Sequence, residues 1–231
     1  MLTLHIGNKN YSSWSMRPWV LMKQAGIEFA EVLIPFDDCG PQSAFKQKAL
    51  AVGPTGNVPV LVDGSGADPI VVWDSLAIVE YLAERFPALH LWPSDVRKRA
   101  EARSICAEIH CGFSALRAAC PMNIDASLHE AGALAWRDRP GVREDVGRLV
   151  SMWQGLLKRH GGPMLFGEFC IADAYFAPVV MRLKSYALPV PDDIKAYMQR
   201  VIVLPGVQAW INGALEEDDF VVADEPYRLT R

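Results

Sequence analysis

Tyr11, Ser12 and Ser13 crowd between a short apolar run and Pro18 in the segment GNKNYSSWSMRPW, residues 7–19. Hydroxyls at the start of a helix have two uses. They cap the unpaired N–H groups of the first turn, or they join those N–H groups and the helix dipole in stabilising an anion outside the helix. Read alone, this cluster is a polar helix start. A second pair, Asp74–Ser75, stands between VVW and LAIVEYLAERF. Its hydroxyl and N–H groups suit a carboxylate and Asp74 suits an ammonium, although a plain N-cap uses the same atoms. Between the two, Val58–Pro59 opens the run VPVLVD. An X–Pro bond takes the cis form at a cost of only ~0.5–1 kcal/mol. The alternative is a trans proline at a strand start, where its missing N–H costs no ladder bond, and for the isolated dipeptide that alternative is the better one.

Other chemistries find less support. The five cysteines (Cys39, Cys106, Cys111, Cys120, Cys170) are odd in number and scattered, with no C-x-x-C pair. This argues against a disulfide framework or structural zinc, and the histidines lack ligand spacing, so no metal is expected. Net charge is −4, which offers no basic field for nucleic acid or an anionic membrane. Apolar runs are broken by Gly, Pro or charge well short of a membrane span. The N-terminal MLTLHIGN has neither a basic lead nor a long apolar centre, so it does not read as a signal peptide. The expectation is a globular cytoplasmic protein with hydrophobic residues at 51% of the chain.

The elements that would hold these residues change character along the chain. Strand patterns fit 2–6, 29–34, 58–63 and 69–73, the last two joined by the glycine-containing GSGAD in the manner of a hairpin. Helical patterns fit the segment ending at Gly26, part of 37–50, and 74–86. The order β-α-β, α, β-β, α makes a small mixed sheet flanked by helices. After the proline-containing PALHLWPSD there is almost no strand signal. Three- and four-residue spacing predicts a helix over 97–119, stopped by Pro121, and further helices over 127–137, 143–159, 172–186, 194–203 and 207–215.

GNVPVLVDG, WDS at a helix start and, far downstream, GEFCIADAYFAPVV together resemble the cytosolic glutathione transferase superfamily. SSWS is most similar to its serine-type classes, the bacterial and zeta- or theta-like members. Each motif is weak alone; their order and spacing make the combination specific, and the likeness spans nearly the whole chain. The resemblance implies an α/β plus all-α fold. A thioredoxin-like glutathione-binding domain would occupy 1–86, and an all-helical domain carrying most of the electrophile pocket would occupy 94–231. It implies glutathione as co-substrate, a small hydrophobic electrophile, and a homodimer.

On that reading Val58–Pro59 is cis, and the Val58 backbone pairs with glutathione as an added strand. Asp74 and Ser75 take the γ-glutamyl end. Asn57 stands where many relatives have lysine, so Lys46 or Gln47 would help hold the glycyl carboxylate. Ser12, with Ser13 as partner, would activate the thiol, and Tyr11 is a further candidate. A free thiol is only a few per cent ionised at pH 7, and lowering its pKa by ~2 units means stabilising the thiolate by ~2.7 kcal/mol. A hydroxyl donor and a helix N-terminus supply that between them. Tyr11, Trp14, His110, Phe113 and Arg117 would line the electrophile pocket, His110 and Arg117 sharing one helix face. Cys170 and Asp173 form the capping-box motif of the helical domain, with Cys where relatives have Ser or Thr.

Two other functions are kept open. Zeta-class relatives isomerise maleylacetoacetate, but Trp14 replaces their cysteine, and their substrate-holding arginine aligns near Ser185, with Arg182 a turn earlier. A non-catalytic ligand binder on the same fold is the other alternative.

Overall fold

The computed structural model of the protein describes residues 1–37 and 40–230, so Cys39 lies outside the described residues. Its first half is built on a four-stranded sheet in the order β2-β1-β3-β4, with β1 Leu2–Ile6, β2 Ala30–Leu33, β3 Val60–Asp63 and β4 Ile70–Trp73. β1 pairs parallel with β2 and antiparallel with β3, which pairs antiparallel with β4. The alternation that predicts β1 has a plain cause. Leu2, Leu4 and Ile6 point into the core while Thr3 and His5 are half-exposed.

Helix α1 (Ser13–Gln24) makes the crossover from β1 to β2. It ends where Gly26 takes a left-handed conformation that favours glycine. α2 (Ala44–Leu50) precedes β3, and α3 (Ser75–Arg85) follows β4. The rest is helical: α4 Val96–Cys111, α5 Ser114–Ala119, α6 His129–Asp138, α7 Pro140–His160, α8 Ile171–Ser185, α9 Asp192–Ile202 and α10 Pro205–Leu215. A β-sheet layer with its helices followed by an all-helical assembly is the thioredoxin-like plus all-α architecture expected.

α8 runs through the middle of the helical half, buried along almost its whole length. Trp153 of α7 and Tyr197 of α9 pack against it, Trp153 meeting both Tyr197 and the helix's own Phe176 edge-to-face. α1 lies against both α8 and α10, so a single hydrophobic core joins the two halves. Gly132 lets α6 approach α8, since a Cβ there would fall 1.8 Å from the Tyr186 carbonyl oxygen. Asp173 accepts from the Cys170 and Leu165 amides and the Tyr197 hydroxyl, and both halves of the capping box with Cys170 are present. Among the described residues no helix is long and apolar enough to cross a membrane. Cys106, Cys111, Cys120 and Cys170 are free thiols.

One expected helix is two. The pattern over 97–119 breaks at Gly112 and Phe113, where Phe113 takes φ +57°. The break is held from a distance. Asp145 on α7 accepts from the Leu116 amide, and Arg117 folds back onto the His110 and Gly112 carbonyls. His110 and Arg117 therefore sit on different helices and do not share a helix face. α7 also begins earlier than its apolar period predicts, with Pro140 in the first turn, where its missing N–H costs nothing.

Candidate active site

A cavity of about 820 Å³ opens between the sheet half and the helical half. Two helix N-termini point into it. At one, Ser12 is the N-cap of α1 but makes no capping bond with its side chain. Its hydroxyl donates instead to Ser15 Oγ at 2.7 Å, and Ser15 also accepts from the Gly7 amide. Ser13 is oriented differently. Its Oγ accepts from Arg182 Nη2 at 3.1 Å, a contact reaching across to α8.

At the other end of the cavity, Asp74 caps α3, Oδ1 accepting from the Leu76 and Ala77 amides. Asp74 holds φ +74°, a conformation that costs a non-glycine residue of order 1 kcal/mol and that concentrates at functional sites. Its other oxygen lies 3.2 Å from His110 Nε2. His110 Nδ1 is 2.8 Å from the Tyr175 hydroxyl, which is 3.1 Å from Ser75 Oγ. A carboxylate only accepts, so Nε2 carries the hydrogen, and in the neutral ring Nδ1 accepts from Tyr175. Burial pushes the His110 pKa down, as do Arg17 and Arg117, and Asp74 only partly opposes them. The neutral ring is thus the one present near pH 7.

Between the two helix starts runs the Val58–Pro59 segment, whose peptide bond is cis, as the family resemblance implies. Lys46 Nζ donates to the Thr55 carbonyl at 2.9 Å and to Asn57 Oδ1 at 3.4 Å, placing an ammonium at this edge of the cavity. Gln47, the other expected candidate, is absent from the lining and bonds to the Gln42 carbonyl.

Trp14, His110 and Arg117 line the far wall with Pro121 and Met122. Trp14 lies between two guanidinium groups, with Arg17 4.2 Å and Arg117 4.9 Å from ring centroid to guanidinium carbon. Arg17 is buried against Tyr175 as well, and its Nε and Nη1 have no hydrogen-bond partner among the described residues. Tyr11 reaches the cavity, but its hydroxyl donates to Glu225 at 2.8 Å, and burial with that carboxylate raises its pKa. Phe113 does not line the cavity. The helix break turns it into the hydrophobic core. No group of three or more His, Cys, Asp or Glu able to hold a metal ion occurs among the described residues.

Sequence reasoning missed Tyr175, which bridges Ser75 and His110, and it considered Arg182 only for a substrate carboxylate. Tyr175 follows Asp173 on a helix read only as core. Nothing local to either residue signals partners that lie 65 to 169 positions away.

This fold and this paired-helix cavity define a glutathione-transferase type of protein. The family model described as the glutathione S-transferase N-terminal domain matches residues 11–85. Glutathione S-transferase 1 of Dianthus caryophyllus is 34% identical over 171 residues, 73% of this chain and 71% of that one. Maleylacetoacetate isomerase of Rattus norvegicus is 36% identical over 177 residues, 76% of each. Among solved structures, a glutathione transferase homolog from Burkholderia GL BGR1 with bound glutathione superposes with a TM-score of 0.67 at 26% identity, covering 93% of this chain and 98% of that one. The chain belongs to the glutathione S-transferase family.

Proposed function

We propose that this protein is a serine-type glutathione transferase that ionises the glutathione thiol for attack on a small hydrophobic electrophile. The observation that carries this reading is the convergence on one cavity of the α1 N-terminus, the cis Val58–Pro59 edge and the Asp74–Ser75 start of α3. Glutathione would lie along Val58 as an added strand. Its γ-glutamyl carboxylate would meet the α3 N-terminus with Ser75, and its ammonium would meet Asp74. Its glycyl end would reach Lys46 and Asn57. Of the two serines, Ser13 is the better sulfur partner, because Arg182 occupies a lone pair of its oxygen and leaves its proton free. Ser12, which the sequence favoured narrowly, gives its proton to Ser15. The electrophile would occupy the wall of Trp14, His110, Arg117 and Met122. In this reading 1–86 is the glutathione-binding domain, 94–231 the helical domain, and the working form a cytoplasmic homodimer.

Glutathione-dependent conjugation of an aromatic halide tests the reading. Turnover and retention on immobilised glutathione are expected; a protein with neither is a binder of other ligands on this fold. The rat relative's name makes a maleylacetoacetate isomerase the second reading. Against it, Arg182, although it lines the cavity, already has its Nη1 on main-chain carbonyls and its Nη2 on Ser13. Faster turnover of maleylacetoacetate than of any halide would reverse that ranking.

A further inference from the structure

We propose that Arg182 is a positioning residue for thiol activation, acting through Ser13. It fixes the serine hydroxyl as a donor toward the cavity and sets a cation one hydroxyl away from the sulfur. The inference rests on the reading that Ser13 faces the sulfur.

The geometry leaves little choice of orientation. A guanidinium donates and never accepts, so the Arg182–Ser13 contact at 3.1 Å must use a lone pair of Ser13 Oγ. The serine proton is then free for an acceptor, and Ser13 is one of the residues that line the cavity. A hydroxyl that already accepts from a cation is also a stronger donor, because consecutive hydrogen bonds polarise one another. Arg182 Nη1 donates to the Cys120 carbonyl and, at 3.5 Å, to the Arg117 carbonyl. These anchors lie on the segment that closes α5, so the guanidinium cannot swing away from Ser13 without releasing both.

Among the described residues no carboxylate is in contact with the charge on Arg182. Arg17 from α1 and Arg117 from α5 face it as like charges, and with burial they bring its pKa down to about 10. Cys120 and Tyr186 also face it, and burial keeps both neutral near pH 7. Asp224, from the C-terminal segment, lines the same cavity and acts on Arg182 only through space. A buried cation with no contacting carboxylate favours an anion arriving beside it. A glutathione thiolate bound against Ser13 would be that anion. The serine-to-sulfur step thus depends on a side chain of the helical half, and neither half alone completes the site.

The test is the thiol pKa of bound glutathione, read from ultraviolet thiolate absorbance and from the pH profile of kcat/KM, in Arg182→Met, Arg182→Lys and Ser13→Ala. Arg182→Met is expected to raise the thiol pKa by about one unit and so lower kcat/KM at pH 7 about tenfold. Glutathione KM should change little, and the rates should converge with the unsubstituted enzyme at alkaline pH. Arg182→Lys, which keeps the charge but not the fork, should fall between the two and serves if the methionine variant does not fold. In a Ser13→Ala background, Arg182→Met should add little, since its route to the sulfur is gone. A purely structural role would lower the folded fraction or glutathione affinity without moving the pH profile. An unmoved profile in folded Arg182→Met and Arg182→Lys overturns the inference if Ser13→Ala does move it. An unmoved profile in Ser13→Ala overturns the underlying assignment of the serine instead.

Discussion

The two helix starts that face the cavity are built in opposite ways. At α3, Asp74 satisfies two first-turn amides with one carboxylate oxygen, engages His110 with the other, and sits in a left-handed conformation. At α1, the N-cap Ser12 caps nothing with its side chain, and Ser13 is tied to a distant arginine. The first arrangement is a finished cap that also presents charge, as binding one end of a peptide requires. The second leaves its first-turn N–H groups and one hydroxyl proton without a side-chain partner. That costs helix stability of about 1 kcal/mol relative to a capped end, and it leaves donors aimed where negative charge would develop. On the proposed reading, binding and activation are divided between these two helix starts.

The largest effect expected from breaking this division is at Ser13. Ser13→Ala should lower kcat/KM at pH 7 by about thirtyfold, as expected for losing ~1.5 of the ~2 units of thiol pKa depression while the helix N-terminus keeps the rest, and Ser12→Ala should stay within a few-fold. Stopped-flow conjugation rates on both variants decide it, and the reverse order would return the role to Ser12. Next comes Asp74→Gly. Glycine accepts φ +74° without strain, so relief of roughly 1 kcal/mol offsets the few tenths lost with the cap, and thermal stability should hardly move. Glutathione KM should nevertheless rise about tenfold, because a hydrogen bond to a charged group is worth ~1.5–3 kcal/mol. A kcat that falls as far as the affinity would mean that the α3 end takes part in activation after all.

The α3 end was the more legible of the two from sequence, and the reason is distance. Asp74–Ser75 carries its chemistry in adjacent residues, so a capped, anion-ready helix start could be anticipated locally, whereas the cis Val58–Pro59 bond followed only from the family resemblance. The sheet and most helices were readable for the same reason, since period and turn residues are local signals. Ser12 and Ser13 differ only in partners: Ser15 lies three residues away and Arg182 lies 169 away. No spacing rule distinguishes them. The break at Gly112–Phe113 was hidden likewise, because the apolar period runs through it and one of its stabilisers, Asp145, comes from another helix. Phe113 was expected at the cavity because a continuous helix would have carried it there; the break turns it inward.

A smaller effect separates the two ends by pH. The His110 pKa is lowered, so the ring is neutral at pH 7 and protonates only below its ordinary value of 6.5. Once charged, it opposes a substrate ammonium at Asp74, with Arg17 and Arg117 nearby adding to the positive field. Its Nδ1–H must also reverse the hydrogen bond with Tyr175. Glutathione affinity should therefore fall by about threefold on acidification through that range, an exposed-pair magnitude of ~0.6 kcal/mol. Calorimetric titration of His110→Asn should show a flatter dependence. An equally steep fall in that variant would assign it to another group.

The smallest effect concerns Tyr11, the third hydroxyl of the opening cluster. Its O–H donates to Glu225, whose charge burial opposes, but Arg228, Tyr11 and Asn123 together hold its carboxyl below the usual range. A phenol spent on a carboxylate has no proton to offer a sulfur, and its raised pKa makes it a still weaker acid. Tyr11→Phe should leave the thiol pKa of bound glutathione unmoved and kcat/KM within about twofold. It should cost ~1–3 kcal/mol of stability, because Glu225 loses one of its buried donors, and thermal melts should show that loss directly. A change in thiol pKa with unchanged stability would place Tyr11, rather than either serine, at the sulfur, and would remove the contrast between the two helix starts.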